Sequence, residues 1–215
     1  MAGHRIRTGM PNGRLSRDGR EDARLVEKCR RGDELAFEAL VLKYQNQVYG
    51  VAYRMVGDSE EAMDLAQETF IKAYRGLDTY KPAMPFRTWL LRIGTNSAID
   101  NLRKRGRGRD MPVELGSKPR PGAINSSEVS WASFDPPGPE TDIPENVSVS
   151  NETAGIISEA LSELPDNYRA VVILHHMEGM SYSEIGKALG VPRNTAKTWG
   201  HRARGLLCGA LEGVM

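Results

Sequence analysis

The stretch from Ser181 to Arg204 reads SYSEIGKALGVPRNTAKTWGHRAR, and its reading decides the fold. Ser181-x-x-Glu184 has the form of a capping box that opens a short helix. That helix stops at Gly190, and Pro192, a favoured first-turn residue, opens the next. Ile185 and Leu189 before the glycine, and Val191, Ala196 and Trp199 after it, are the apolar positions that pack two short helices across a tight turn. Gly186 stands where the two approach most closely and a side chain would clash. The segment therefore reads as a helix-turn-helix. Its second helix offers Arg193, Asn194, Thr195, Lys197, Thr198, His201, Arg202 and Arg204 to phosphates and base edges of a major groove. A helical hairpin whose charges are merely solvated is the alternative.

Working upstream, helical periodicity resumes at 153–163 and again after Pro165, as far as Met177. Before that lies a break. Between Gly106 and Glu152 stand seven of the twelve prolines, with many Ser and Gly and no sustained apolar period. Such a segment is too long for an ordinary loop, so 109–152 reads as a flexible Pro/Ser-rich linker. From 121 to 152 it carries six acids and no base.

The first half is helical again. A short helix is expected over about 21–31, after a disordered, Arg-rich arm at 1–20. A second starts at Asp33, carries Ala36, Phe37, Leu40, Tyr44, Val48, Val51, Ala52 and Met55 at i+3/i+4 spacing, and ends at Gly57. Asp58-x-x-Glu61 caps a third, closed by Gly76. A fourth runs from Phe86 to about Arg105. Nothing argues for strands. The fold class is all-α: a unit at 21–108 and a helix-turn-helix unit at 153–212, joined by the linker.

Composition excludes other classes. The chain has 215 residues, 29 basic against 28 acidic, and two cysteines. No apolar run reaches the roughly 18 residues a membrane span needs. Cys29 and Cys208 are too few and too far apart for a disulfide framework or a zinc site, so a reduced cytoplasmic setting is the expectation. Net charge hides a segregation. Residues 57–68 hold five acids and no base, whereas 103–109 hold five bases and no acid. Opposite surfaces of that kind suit different partners.

On the third helix Glu60, Asp64 and Glu68 recur at i, i+4 and i+8, an acidic stripe with Gln67 and Ile71 beside it. Like charges at that spacing repel, and the helix N-terminus offsets this for Glu60 but not for Glu68. A basic protein partner and a solvated face both fit. On the fourth helix Trp89, Arg92, Asn96 and Arg103 share one face, and Lys104 and Arg105 extend it. An aromatic plate, an amide and cations suit unstacked bases and their backbone; a core position for Trp89 is the competing reading. A small hydrolase working through Glu60–Glu68 or His175–His176 lacks a nucleophile–base pair, metal-ligand spacing or phosphate loop. No cofactor is implied. An ordinary helix-turn-helix regulator is a further alternative, but no sustained heptads supply a dimer helix.

Together these residues resemble the extracytoplasmic-function (ECF) group of bacterial sigma factors. The resemblance rests on FEALVLKYQNQVYGVAYRMVGDSEEAMDLAQETFIKAYRGLDTY and FRTWLLRIGTNSAIDNLRKRGR in the first unit, and on LSELPDNYRAVVILHHMEGMSYSEIGKALGVP in the second. It implies a non-enzymatic initiation factor that binds core RNA polymerase, at its large-subunit clamp coiled coil and flap, and reads promoter DNA. Asp64, Gln67, Glu68 and Phe70 match the polymerase-docking surface. Trp89, Arg92, Asn96, Arg103, Lys104 and Arg105 fall in the −10 reader, with Asn96 near the loop that captures a flipped base. His175, Arg193, Asn194, Thr195, Lys197, Thr198, His201 and Arg202 fall in the −35 reader. The linker matches the segment threaded through polymerase, where its acids would mimic nucleic acid. An anti-sigma factor is an expected partner. The last helix departs from the group's usual pattern: Asn194 replaces a glycine, Trp199 an arginine and Gly200 a core leucine. Gly200 costs about 1 kcal/mol against Ala in a helix, and the lost leucine packing about 2 kcal/mol more; Trp199 is expected to refill the space.

Overall fold

Helices with an apolar stripe must bury it against one another, and the α-helices among the described residues pack in that way. The computed structural model describes residues 17–106 and 147–212, and the described residues contain no strand. The first unit comprises α1 (Arg17–Arg30), α2 (Glu34–Val56), α3 (Ser59–Gly76), a 3-10 turn (Leu77–Thr79) and α4 (Phe86–Lys104). The second comprises α5 (Val147–Ser162), α6 (Asp166–Val172), a π-helical turn (Ile173–Met177), α7 (Tyr182–Leu189) and α8 (Arg193–Glu212). Arg107, Arg109, most of the arm and the acidic linker lie outside the described residues.

The local start and stop signals operate as the spacing predicts. Asp33 accepts a hydrogen bond from Ala36 N at 3.2 Å, and Asp58 one from Glu61 N at 2.9 Å. Gly57 ends α2 at φ 76°, a left-handed conformation that glycine adopts without a Cβ penalty. Two boundaries differ from expectation. Helix α1 begins at Arg17, inside the stretch read as a disordered arm, and α5 begins at Val147, six residues before the expected start. The extra turn of α1 is held by packing, since Gly19 and Asp22 are both buried.

The first unit wraps α1, α3 and α4 around α2. Leu40, Met55, Phe70, Phe86, Leu90, Leu91 and Leu102 are all but inaccessible. Asp22, 2% exposed, accepts from the Tyr44 hydroxyl and the Lys43 ammonium, each at 2.6 Å. Burial, with this carboxylate next to it, pushes the Tyr44 phenol well above its usual range. Arg30 closes the other end of α1 by donating to the carbonyls of Leu77 at 2.7 Å and Tyr80 at 2.6 Å. Cys29 is buried here, whereas Cys208 is exposed on α8.

The two units meet rather than standing apart. Buried Arg169 of α6 donates to Met55 O at the C-terminus of α2, where the helix dipole favours a cation, and to Ser162 O at 2.6 Å. Arg87 of α4 donates to the Glu178 carboxylate at 2.7 Å, to Glu178 O at 2.6 Å and to Gln47 Oε1 at 3.0 Å. Gln47 in turn donates to Glu178. The expected pair of helical units is present, and among the described residues these contacts join them into one continuous core.

Candidate nucleic-acid interface

The helix-turn-helix is built as its sequence dictates. Ser181 Oγ accepts from Glu184 N at 3.3 Å while the Glu184 carboxylate accepts from Ser181 N at 2.9 Å, the reciprocal capping box. Gly190 turns the chain at φ 71°. A Cβ on Gly186 would sit 2.7 Å from Val191 O, so the backbone of the turn leading into α8 approaches too closely for any side chain. Ile185, Ala188, Ala196, Trp199 and Ala203 form the shared apolar seam. The opposite face of α8 is polar and open. Arg193, Asn194, Lys197, Thr198, His201, Arg202 and Arg204 are exposed and Thr195 is half-buried. Thr198 donates to Asn194 O at 2.9 Å, and Arg202 reaches the Tyr168 hydroxyl at 3.4 Å.

His175 stands at the rim of this surface. The π-helical turn, in which Glu178 N bonds Ile173 O at 3.1 Å, swings its ring onto Tyr182. The rings stack with centroids 4.3 Å apart and planes at 27°, and His175 Nδ1 donates to Met180 O at 2.8 Å. His176 beside it has its imidazole pushed below the usual value by desolvation and by His175 and Arg204.

One expectation about α8 is corrected. Trp199 does not refill the space at Gly200; it is buried among the helices with its ring 6.3 Å from Tyr168. The ring lying on Gly200 is that of Tyr182.

On α4, Asn96, Arg103 and Lys104 are exposed and Arg92 is half-buried, so their shared face is open. Trp89 is neither wholly core nor wholly exposed. It is half-buried in an aromatic cluster with Tyr80 and Phe86, centroids 5.4 and 5.6 Å away. Arg105 turns aside to pair with the buried Glu61 of α3.

The acidic face of α3 needs two amendments. Asp64 and Glu68 are exposed and Gln67 is half-buried, but Phe70 is 1% exposed and belongs to the core. The signal that marks it as core, unread in the sequence analysis, is its i+4 and i+3 spacing from Ala66 and Ala73, both buried. Nor is Glu68 uncompensated: Lys72, one turn on, pairs with it at 2.8 Å and also donates to Ser97 at 2.9 Å. What remains is a cleft of about 520 Å³ lined by Asp58, Glu60, Asp64 and Glu68, with Asn101 and Arg105 on its far wall. Among the described residues no cluster of His, Cys, Asp and Glu suits a metal ion, and no helix is long and apolar enough to cross a membrane.

Residues 40–108 match the sigma-70 region 2 family and residues 154–207 the sigma-70 region 4 family. Similarity to characterised proteins runs almost end to end: the chain is 33% identical over 195 residues to the RNA polymerase sigma-H factor of Pseudomonas aeruginosa, covering 91% of this chain and 96% of that one. The chain belongs to the ECF sigma factors. The ECF sigma factor SigW of Bacillus subtilis is 35% identical over 83% of this chain and 90% of its own. The ECF sigma-E factor of Escherichia coli K12 is 34% identical over 85% and 90%. Among solved structures, CnrH in complex with the cytosolic domain of CnrY shares the fold at TM-score 0.63 and 22% identity, over 90% of this chain and 98% of that one. The sigma factor RpoE of Bartonella quintana, solved with the anti-sigma factor NepR, does so at TM-score 0.55 and 23% identity, over 82% and 96%. This sigma factor therefore directs transcription initiation and is not an enzyme.

Proposed function

We propose that this sigma factor docks on core polymerase through the open face of α3, with Asp64, Gln67 and Glu68 meeting a basic surface of the clamp coiled coil. The α4 face then reads the −10 element. Asn96 receives an unstacked non-template base while Arg92, Arg103 and Lys104 hold the backbone, and Trp89 lends the edge of its ring. Unstacking costs a few kcal/mol, which base capture and polymerase contacts offset. Helix α8 lies in the major groove of the −35 element, with Lys197, Thr198, His201 and Arg202 toward the DNA and Arg193 and Asn194 at its entry. An anti-sigma factor restrains the protein in the cytoplasm until a signal releases it.

The observation that carries this reading is the exposure of Asn96 on one face with Arg92 and Arg103, on a helix whose other faces are core. Run-off transcription with bacterial core polymerase on a promoter library tests it. Transcripts that require the protein and collapse with Asn96→Ala support the reading. Protein-dependent transcripts that survive Asn96→Ala remove α4 from the −10 role.

A further inference from the structure

Gly200 stands in mid-helix on the proposed −35 reader, where glycine is the poorest residue short of proline. The glycines nearby set the comparison. A Cβ added at Gly205 or Gly209 of the same helix would meet nothing within 4 Å. At Gly200 it would lie 2.8 Å from the Tyr182 hydroxyl oxygen, 2.9 Å from Cε1 and 3.2 Å from Cζ. The phenol ring thus rests on the bare backbone of α8. Its seat is fixed by the His175 ring stacked on it at 4.3 Å, itself tied to Met180 O.

Helix α7 thus approaches the backbone of α8 and its entry at two points, one above the other. Gly186 of α7 lies against Val191 O in the connecting turn and against Arg193, the first residue of α8, and Tyr182, one turn earlier on α7, meets α8 at Gly200. The apolar seam of Ala196, Trp199 and Ala203 holds α8 against α6 and α7, and the Tyr182 ring adds a rigid support at the one seam position that carries no side chain of its own. This support lies between Lys197 and Thr198 on one side and His201 and Arg202 on the other, the exposed groups that face DNA in the proposed reading. Base readout requires donors held to about half an ångström.

We infer that Tyr182 is a positioning residue for promoter recognition: its ring, seated on Gly200, sets the presentation of α8 to the −35 element. The inference rests on the reading of α8 as the −35 reader. Gly200 is then no defect in the helix but the socket that this ring requires.

The test uses holoenzyme assembled from core polymerase and the full chain, on a promoter selected from a random library by the wild-type holoenzyme. The readout is the ratio of initiation rate on that promoter to the rate on the same promoter with its −35 hexamer scrambled. Tyr182→Phe keeps the ring and should hold the ratio within about twofold. Tyr182→Leu removes the seat and should lower the ratio about tenfold, with the rate on the scrambled template unchanged and the protein folded at the assay temperature. A ratio equal to wild type in Tyr182→Leu, or an equal fall in Tyr182→Phe, overturns the inference. A wild-type holoenzyme indifferent to the scramble overturns the −35 reading itself, and the inference with it.

Discussion

Arg87 and Glu178, one from each helical unit, form a charge pair at 2.7 Å in which the carboxylate is 7% exposed and the guanidinium 32%. The same guanidinium also holds the Glu178 carbonyl, so one side chain satisfies both the charge and the backbone at the end of the π-helical turn. Gln47 completes the clasp from α2.

Removing one partner of such a pair strands the other. Full burial would make that loss severe, and the partial exposure of Arg87 reduces it to about 1–2 kcal/mol. Glu178→Ala should therefore loosen the two units without unfolding either. Small-angle scattering would report a larger radius of gyration at unchanged helical content. The double variant with Arg87→Ala should cost little more than Glu178→Ala alone, because the same interaction is lost only once.

Asp64→Lys and Phe70→Ala separate surface from core on α3. The first changes an exposed side chain, so stability should hold within about 0.5 kcal/mol while affinity for core polymerase falls. The second empties a core position and should cost about 3–5 kcal/mol. Urea denaturation alongside a polymerase binding assay distinguishes the two. A Phe70→Ala protein of normal stability would contradict the placement of this ring.

Two glycines of the helix-turn-helix should respond to alanine with opposite signs. At Gly186 the new methyl meets the Val191 carbonyl, and the strain should cost about 1–3 kcal/mol. At Gly205 there is open space on a helix, and alanine should stabilise by about 0.5–1 kcal/mol. Thermal melting of both variants checks the pair.

The second unit should weaken in mild acid through His176. Its folded value lies below the ordinary 6.5 because desolvation, His175 and Arg204 all disfavour the cation, and because the residue is exposed, solvent screening keeps the effect small. The unfolded chain therefore takes up the proton first as pH falls. Stability is full above about 6.5, declines as the pH drops through the folded value, and levels off below it. Chemical denaturation between pH 7.5 and 5.0 should show this slope, and His176→Asn should flatten it.

The sequence disclosed what is written within a turn or two of itself. Asp33, Asp58 and the Ser181–Glu184 box announce helix starts, Gly57 and Gly190 announce stops, and each does so through contacts fewer than six residues apart. Helix α1 was read late because its N-terminal turn, RDGR, carries no apolar stripe; its order comes from Asp22 meeting Tyr44 and Lys43. The clasp had no local signature, since its partners lie 91 and 131 residues apart. Gly200 was legible as a departure but not as a socket, because nothing in a linear string tells that the ring eighteen positions earlier will land on it. Phe70 entered the surface set through family resemblance alone, and the apolar spacing Ala66–Phe70–Ala73 that marks it as core went unread.

The placement of the two thiols makes the molecule its own reporter. Burial lifts the Cys29 thiol above its usual range and shields it from solvent, whereas Cys208 stands exposed on α8. Since the thiolate is the reacting species, a maleimide at neutral pH will tag α8 alone in the native protein. Cys29 will follow only when α1 lifts away. A single unmodified chain thus accepts a fluorophore on its last helix and, by the lag before a second label, times the opening of its first helical unit.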